Sequence, residues 1–199
     1  MTITWLASLV MFSVVMSFTP GPNNLMVTSS GLTHGVRRTV PLILGVMAGF
    51  CGLMLLSALG VGALLLADPR AAILLKLAGA AYMLWLAFKL WTAAPSPDAS
   101  AQPPLTAWHG ALLQLVNPKA WMMAVAAVSI YVAPVQPWLL SAAIVTALIE
   151  AFSLASMLTW ATFGSGLKSM LGDAARIRRV NRGMAILAAA TALLIVFWS

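Results

Sequence analysis

Residues 39–66 contain no Asp, Glu, Lys or Arg. A helix needs about 20 mainly apolar residues to cross the hydrocarbon core of a bilayer. A run of this length leaves a soluble fold no charged face to turn to water. The rest of the chain repeats the pattern: 62% of its 199 residues are hydrophobic and only 8% are charged. Soluble domains carry roughly 45–50% apolar and about 25% charged residues. The length suits about six or seven spans with short loops, and leaves no room for a separate soluble domain. The runs are continuous rather than alternating, which excludes a transmembrane barrel. Helices satisfy their own backbone in lipid, so the expected fold class is an all-α membrane protein.

Six apolar stretches are legible. They cover residues 3–29, 39–66, 71–91, 108–132, 137–164 and 183–198. Residues 92–106, rich in Pro, Ala and Ser, form the only linker-like segment. Residues 168–182 read as a basic loop. The N-terminus has no basic n-region and no cleavage site, so the first stretch reads as a retained span. Trp5, Trp91, Trp108, Trp138 and Trp198 fall near span ends, where indole rings suit the headgroup level.

The net charge of +7 comes from basic residues scattered between apolar runs. They form no patch of the kind that binds nucleic acid; they read instead as topology signals. With six spans, the odd loops hold Arg37, Arg38, Lys89, Lys168, Arg176, Arg178, Arg179 and Arg182, eight residues against two (Arg70 and Lys76) on the other side. Positive residues stay inside. The odd loops are therefore expected in the cytoplasm, with both termini outside.

Two spans, the first and the fourth, are interrupted near mid-depth, at Pro20-Gly21-Pro22 and at Asn117-Pro118, 98 residues apart. The second and fifth runs also begin 98 residues apart, at Thr39 and Pro137. The match is positional rather than one of residue identity. A three-span repeat crosses the membrane an odd number of times, so its second copy enters from the other side. The expectation is one transmembrane domain of two inverted three-helix repeats, about residues 1–91 and 107–199. Inverted repeats of this kind place substrate sites at discontinuous helices near the midplane.

The breaks hold the polar residues that bear chemistry. A proline within a helix removes a backbone hydrogen bond but is comfortable in the first turn of a new one. Pro20, Pro22 and Pro118 are expected to free the carbonyls of Met16, Phe18 and Gln114, and Gly21 to permit unusual backbone angles. Asn23 and Asn24 would open a second half-helix, and Asn117 would cap another. Lys119 lies 11 residues past Trp108, roughly 16 Å along a helix. Glu150, the only acid inside a run, lies 12 residues past Trp138. Ionisable groups at that depth are costly and face a cavity or a partner. Each is the other's natural partner. Burial works against the charge on Glu150 and a nearby ammonium supports it, which suits proton coupling or binding of an ammonium group.

Half-helix N-termini attract anions, and Lys119 adds to that field. Asparagine oxygens, freed carbonyls and Glu150 accept from an ammonium. The expected substrate-binding residues are therefore Pro20, Gly21, Pro22, Asn23, Asn24, Gln114, Asn117, Pro118, Lys119 and Glu150, and a zwitterionic amino acid satisfies both halves. Gly45, Gly49 and Gly52 read as a packing seam. His34, His109 and the lone Cys51 show no metal-ligand spacing, so neither a metal nor a cofactor is expected. No nucleophile–base pair is visible, which argues against an enzyme.

Ser17-Phe18-Thr19-Pro20-Gly21-Pro22-Asn23-Asn24 with Gly31 and Gly35 resembles the N-terminal motif of the lysine exporter family, the LysE/RhtB-type amino-acid exporters. Leu77-Ala78-Gly79-Ala80-Ala81-Tyr82-Met83-Leu84-Trp85-Leu86 and Leu115-Val116-Asn117-Pro118-Lys119-Ala120 continue the resemblance along the chain. It implies a cytoplasmic-membrane exporter of amino acids or close derivatives, driven by an ion gradient. The lone cysteine argues against a thiol-redox relay. Proton antiport with alternating access is the expected mechanism. An exporter of another small ion or metal, or a non-transporting structural or assembly protein, are the alternatives. Partners beyond substrate and proton are membrane lipid and, as an open option, a homo-oligomer.

Overall fold

The computed structural model describes residues 2–92, 104–171 and 174–197, and every described element is helical. Most of the linker-like segment, Trp198 and Ser199 lie outside the described residues. Helix α1 (Ile3–Phe18) opens at Thr2, whose hydroxyl accepts from the Trp5 amide at 3.2 Å. It closes at Thr19, held extended before Pro20. Helix α2 (Pro22–His34) restarts with proline in its first turn, and the two axes differ by 53°. Gly35, at φ 78°, joins α2 to α3 (Val36–Ala58) in one residue. That positive φ is why a glycine stands there.

The charge-free run over residues 39–66 does not form one helix. Gly60, at φ 86°, ends α3 and starts the short α4 (Val61–Ala67). A left-handed glycine just past a helix end is a standard stop, and hydropathy alone overlooks it. After α5 (Pro69–Thr92), the second broken pair is α6 (Ala107–Val116) and α7 (Pro118–Ala127). α7 runs on into a π turn (Val128–Val132), and the bend between the two halves is 73°. The Thr106 amide and hydroxyl both contact His109 Nδ1, at 3.2 and 2.8 Å, and so cap α6. Last come α8 (Trp138–Leu171) and α9 (Ala174–Phe197).

This ending corrects the expected basic loop. α9 begins well before residue 183, so Arg176, Arg178, Arg179 and Arg182 ride on its first turns. Arg182 lies over the Trp91 ring at 5.0 Å. α3, α5 and α8 are long and apolar enough to cross a membrane, and each broken pair qualifies as a bent span. That makes three to five candidate spans among the described residues.

α2 packs most extensively on α8, α5 on α9 and α3 on α6. Small residues permit this. A Cβ at Gly31 would collide with the Ala161 carbonyl, and one at Gly164 with that of Thr28. At the α3–α6 seam, a Cβ at Gly45 would strike the Ala107 backbone, and one at Gly49 would lie 2.9 Å from Ala111 Cα. Gly52 faces open space, so it is not part of the seam. Large apolar side chains such as Leu64, Leu139 and Phe88 point outward, as lipid-facing positions do.

Candidate functional site

The two breaks meet. Asn23, in the first turn of α2, and Gln114, in the last turn of α6, exchange amide hydrogen bonds: Gln114 Nε2 donates to Asn23 Oδ1 at 2.9 Å and Asn23 Nδ2 to Gln114 Oε1 at 3.3 Å. Asn117 Nδ2 also donates to Asn23 Oδ1, at 3.4 Å. Asn117 caps α7 as its position predicts, accepting from the Lys119 amide at 3.1 Å. The N-terminus of α2 is different. Gly21 has no side chain to cap it and Pro22 has no N–H, so the first amides of α2 are left open to an anion.

The end of α1 is tied off from three elements. Asn24 Nδ2 donates to the carbonyls of Ser17 and Thr19, at 2.9 and 3.1 Å. Ser156 Oγ of α8 donates to the Ser17 carbonyl at 2.8 Å. Lys119 Nζ, from the other break, donates to the Thr19 carbonyl at 2.9 Å. The Gln114 carbonyl accepts from the Asn117 amide at 3.3 Å. The Ser17, Thr19 and Gln114 carbonyls are thus already engaged rather than waiting for a ligand. Replacing Asn24 by Ala is expected to cost about 1–2 kcal/mol. In a chain of this length that lowers the thermal midpoint of detergent-purified protein by about 2–8 °C.

A cavity of about 50 Å³ lies between the breaks, large enough for a few waters. Gly21, Pro22, Asn23, Asn24, Asn117, Lys119 and Glu150 all line it. Pro20, Gln114 and Pro118 do not, although Gln114 holds the side chain of Asn23, which does. Gly21 sits at φ −169°, ordinary extended backbone, so the expected conformational reason for a glycine fails. A Cβ there would come within 3.2 Å of Lys119 Cδ and 3.3 Å of its Nζ, so the lysine stem lies directly against this glycine.

Lys119 and Glu150 share the cavity without forming an ion pair. Glu150 is 6% exposed. Its Oε1 receives a long 3.7 Å contact from Cys51 Sγ, and its Oε2 is buried with no partner. An uncommitted carboxyl in such a place is a destabilising feature. Ser153, with its Oγ 3.1 Å from that of Ser17, and Met157 complete the α8 wall. The sequence reading missed both. Their spacing from Glu150, i+3 and i+7, puts them on one helix face, so a walk along α8 from Glu150 finds them. A larger hollow of about 370 Å³ lies between α2, α5 and α6 near Lys89 and His109. It shares no lining residue with the first cavity and holds no carboxylate.

A chain with two broken helices meeting at a polar cavity, among helices that suit a membrane, has relatives. The family model described as LysE type translocator matches residues 14–197. This chain belongs to that family. The LysE-type match takes in both breaks and all the cavity-lining residues. Proteins named cysteine/O-acetylserine efflux protein, from Escherichia coli strain K12, Escherichia coli O1:K1 and Shigella sonnei, are each 36% identical to this translocator over 155 residues. The match covers 76% of this chain and 80% of each relative. No solved structure matches it. The translocator is therefore a multi-pass membrane transporter and not an enzyme.

Proposed function

We propose that this translocator exports small amino acids or close derivatives from the cytoplasm, in exchange for protons, by alternating access around the cavity between the breaks. The observation that carries the reading is the cavity's division of charge. Lys119 and the uncapped start of α2 lie together, since Lys119 Nζ would touch a Cβ on Gly21. An ammonium has three donors; one is used on the Thr19 carbonyl, and the others are free for a carboxylate. Glu150, with an unpartnered oxygen, accepts a substrate ammonium. A zwitterion meets both. Relatives named for efflux of cysteine and O-acetylserine point to small substrates with uncharged side chains. At about 50 Å³ the cavity is too small for them, so loading requires the helices around the breaks to part.

The six-span inverted repeat is part of the proposal. When the two halves are exchanged, α3 on α6 becomes α8 on α1, and α2 on α8 becomes α7 on α3. All four contacts occur. Glu150, when empty of substrate, is the natural proton carrier. We place it in the inner membrane, and the distribution of basic residues favours both termini outside.

The test is efflux from proteoliposomes loaded with labelled O-acetylserine, cysteine or another common amino acid, with and without an imposed proton gradient. Efflux of a small neutral amino acid or derivative, accelerated by inward protons, is expected. Folded protein that moves none of them overturns the reading. Reporter fusions at the C-terminus should be active on the outer side only.

A further inference from the structure

We infer that Lys119 permanently fills a cation site built by the protein's own main chain, and so makes the translocator reject amino acids that carry a second positive charge. The part concerning substrates rests on the proposed export of amino acids; the cation site itself does not.

Lys119 stands in the first turn of α7, the positive end of that half-helix, where an ammonium is unfavourable. Its side chain leaves that end. The stem lies on Gly21, and the ammonium reaches the Thr19 carbonyl at 2.9 Å. Thr19 closes α1, so this carbonyl lies at the negative end of a half-helix, where cations are favoured. No carboxylate supplies the attraction: Glu150 keeps one oxygen unpartnered and the other on Cys51. The ammonium is therefore held by peptide carbonyl and helix end. Gly21 supplies the groove for the stem. These are the components of a site for a primary alkylammonium ion, and Lys119 is a tethered occupant of it.

Two consequences follow. While Lys119 is in place, a dibasic amino acid brings its extra charge against a fixed ammonium with no second acid in the cavity to receive it. Glu150 serves the α-ammonium only. Without the Lys119 ammonium, the Thr19 carbonyl keeps Asn24 alone as donor and the groove beside Gly21 empties. A substrate with its own side-chain ammonium then supplies what the protein has lost. Lys119→Ala should exchange one specificity for the other, rather than merely lose activity.

The experiment has two arms. Lys119→Ala removes the atoms of an n-propylammonium ion, so the first arm measures thermal midpoints of purified wild type and variant with propylammonium chloride, with n-propanol and with sodium chloride. Propylammonium should raise the midpoint of the variant by several degrees and leave the wild type unmoved, and propanol should do neither. The second arm measures export of labelled lysine, ornithine and O-acetylserine from proteoliposomes. The wild type should favour O-acetylserine and the variant should export lysine at least 10-fold faster than the wild type does. Lys119→Met, which refills the groove without charge, should respond to neither lysine nor propylammonium. A folded Lys119→Ala with no propylammonium response overturns the cation site. So does a failure of both Lys119→Ala and Lys119→Ser to fold even when purified with propylammonium, because the ligand should rescue them. Equal export of lysine and O-acetylserine by the wild type overturns the specificity role. A wild type that exports no amino acid removes the proposed function, and the first arm still decides the cation site.

Discussion

Glu150→Gln should reduce amino-acid export at least 100-fold while leaving the thermal midpoint unchanged or slightly raised. The two halves of this expectation have one cause. Glu150 is buried at the cavity wall, with one weak thiol contact and one oxygen that has no partner. A carboxyl in that position contributes nothing to folding and costs about as much as other unpaired buried polar groups, roughly 1–3 kcal/mol. Glutamine keeps its shape and can still accept from Cys51, so the helix packing around it stays intact. The substrate ammonium loses its only acidic partner. Losing one member of a buried charged pair costs about 2–5 kcal/mol, or about 30-fold to several thousand-fold in affinity. Glutamine also cannot carry a proton. Export by the variant and its unfolding midpoint in detergent are to be measured on one preparation. Full export by Glu150→Gln would remove the residue from the mechanism. A large loss of stability would show that it is a structural contact.

The second large effect lies in the packing that holds the site together. Gly31→Val, and separately Gly164→Val, should each cost about 3 kcal/mol or more, the upper range for overpacked sites. That corresponds to a fall of about 6–12 °C in midpoint for a chain this size, or to loss of membrane-inserted protein. Each glycine lies against a backbone carbonyl of the other helix, Gly31 on Ala161 and Gly164 on Thr28. A carbonyl cannot turn aside as a flexible side chain can. α2 and α8 must then separate, and they carry Asn24 and Glu150 respectively. Gly52→Ala is the control. Nothing lies within 4 Å of its Cβ position, and alanine favours the helix by about 1 kcal/mol, so this variant should be as stable as the wild type or more so. If Gly31→Val and Gly52→Ala behaved alike, the close α2–α8 approach would be wrong.

Much of the site could be read before the fold. Pro20, Pro22 and Pro118 mark breaks by what proline does to a helix, and this effect is local, so no tertiary structure is needed to see it. Lys119 and Glu150 stood out because charge at mid-depth is rare and expensive. The serines were not visible in the same way. A serine in an apolar helix costs little, so Ser17, Ser153 and Ser156 gain meaning only when α1 and α8 are known to touch. Span boundaries suffered from the opposite problem: hydropathy is a sum over a window, and it carried residues 39–66 across the stop at Gly60 and hid the helical start of α9.

By itself, then, the sequence determined the solvent, the all-helical class and the two positions where proline breaks a helix. Each of these follows from properties of one residue or of a short window: hydrocarbon burial, backbone satisfaction and the geometry of proline. Tertiary structure decided who meets whom across the breaks. Lys119 reaches a carbonyl 100 residues away instead of the acid expected to pair with it, and its stem lies against Gly21, whose backbone is ordinary. Such contacts depend on distances of a few tenths of an ångström between elements far apart in sequence, and no local property of the chain encodes them.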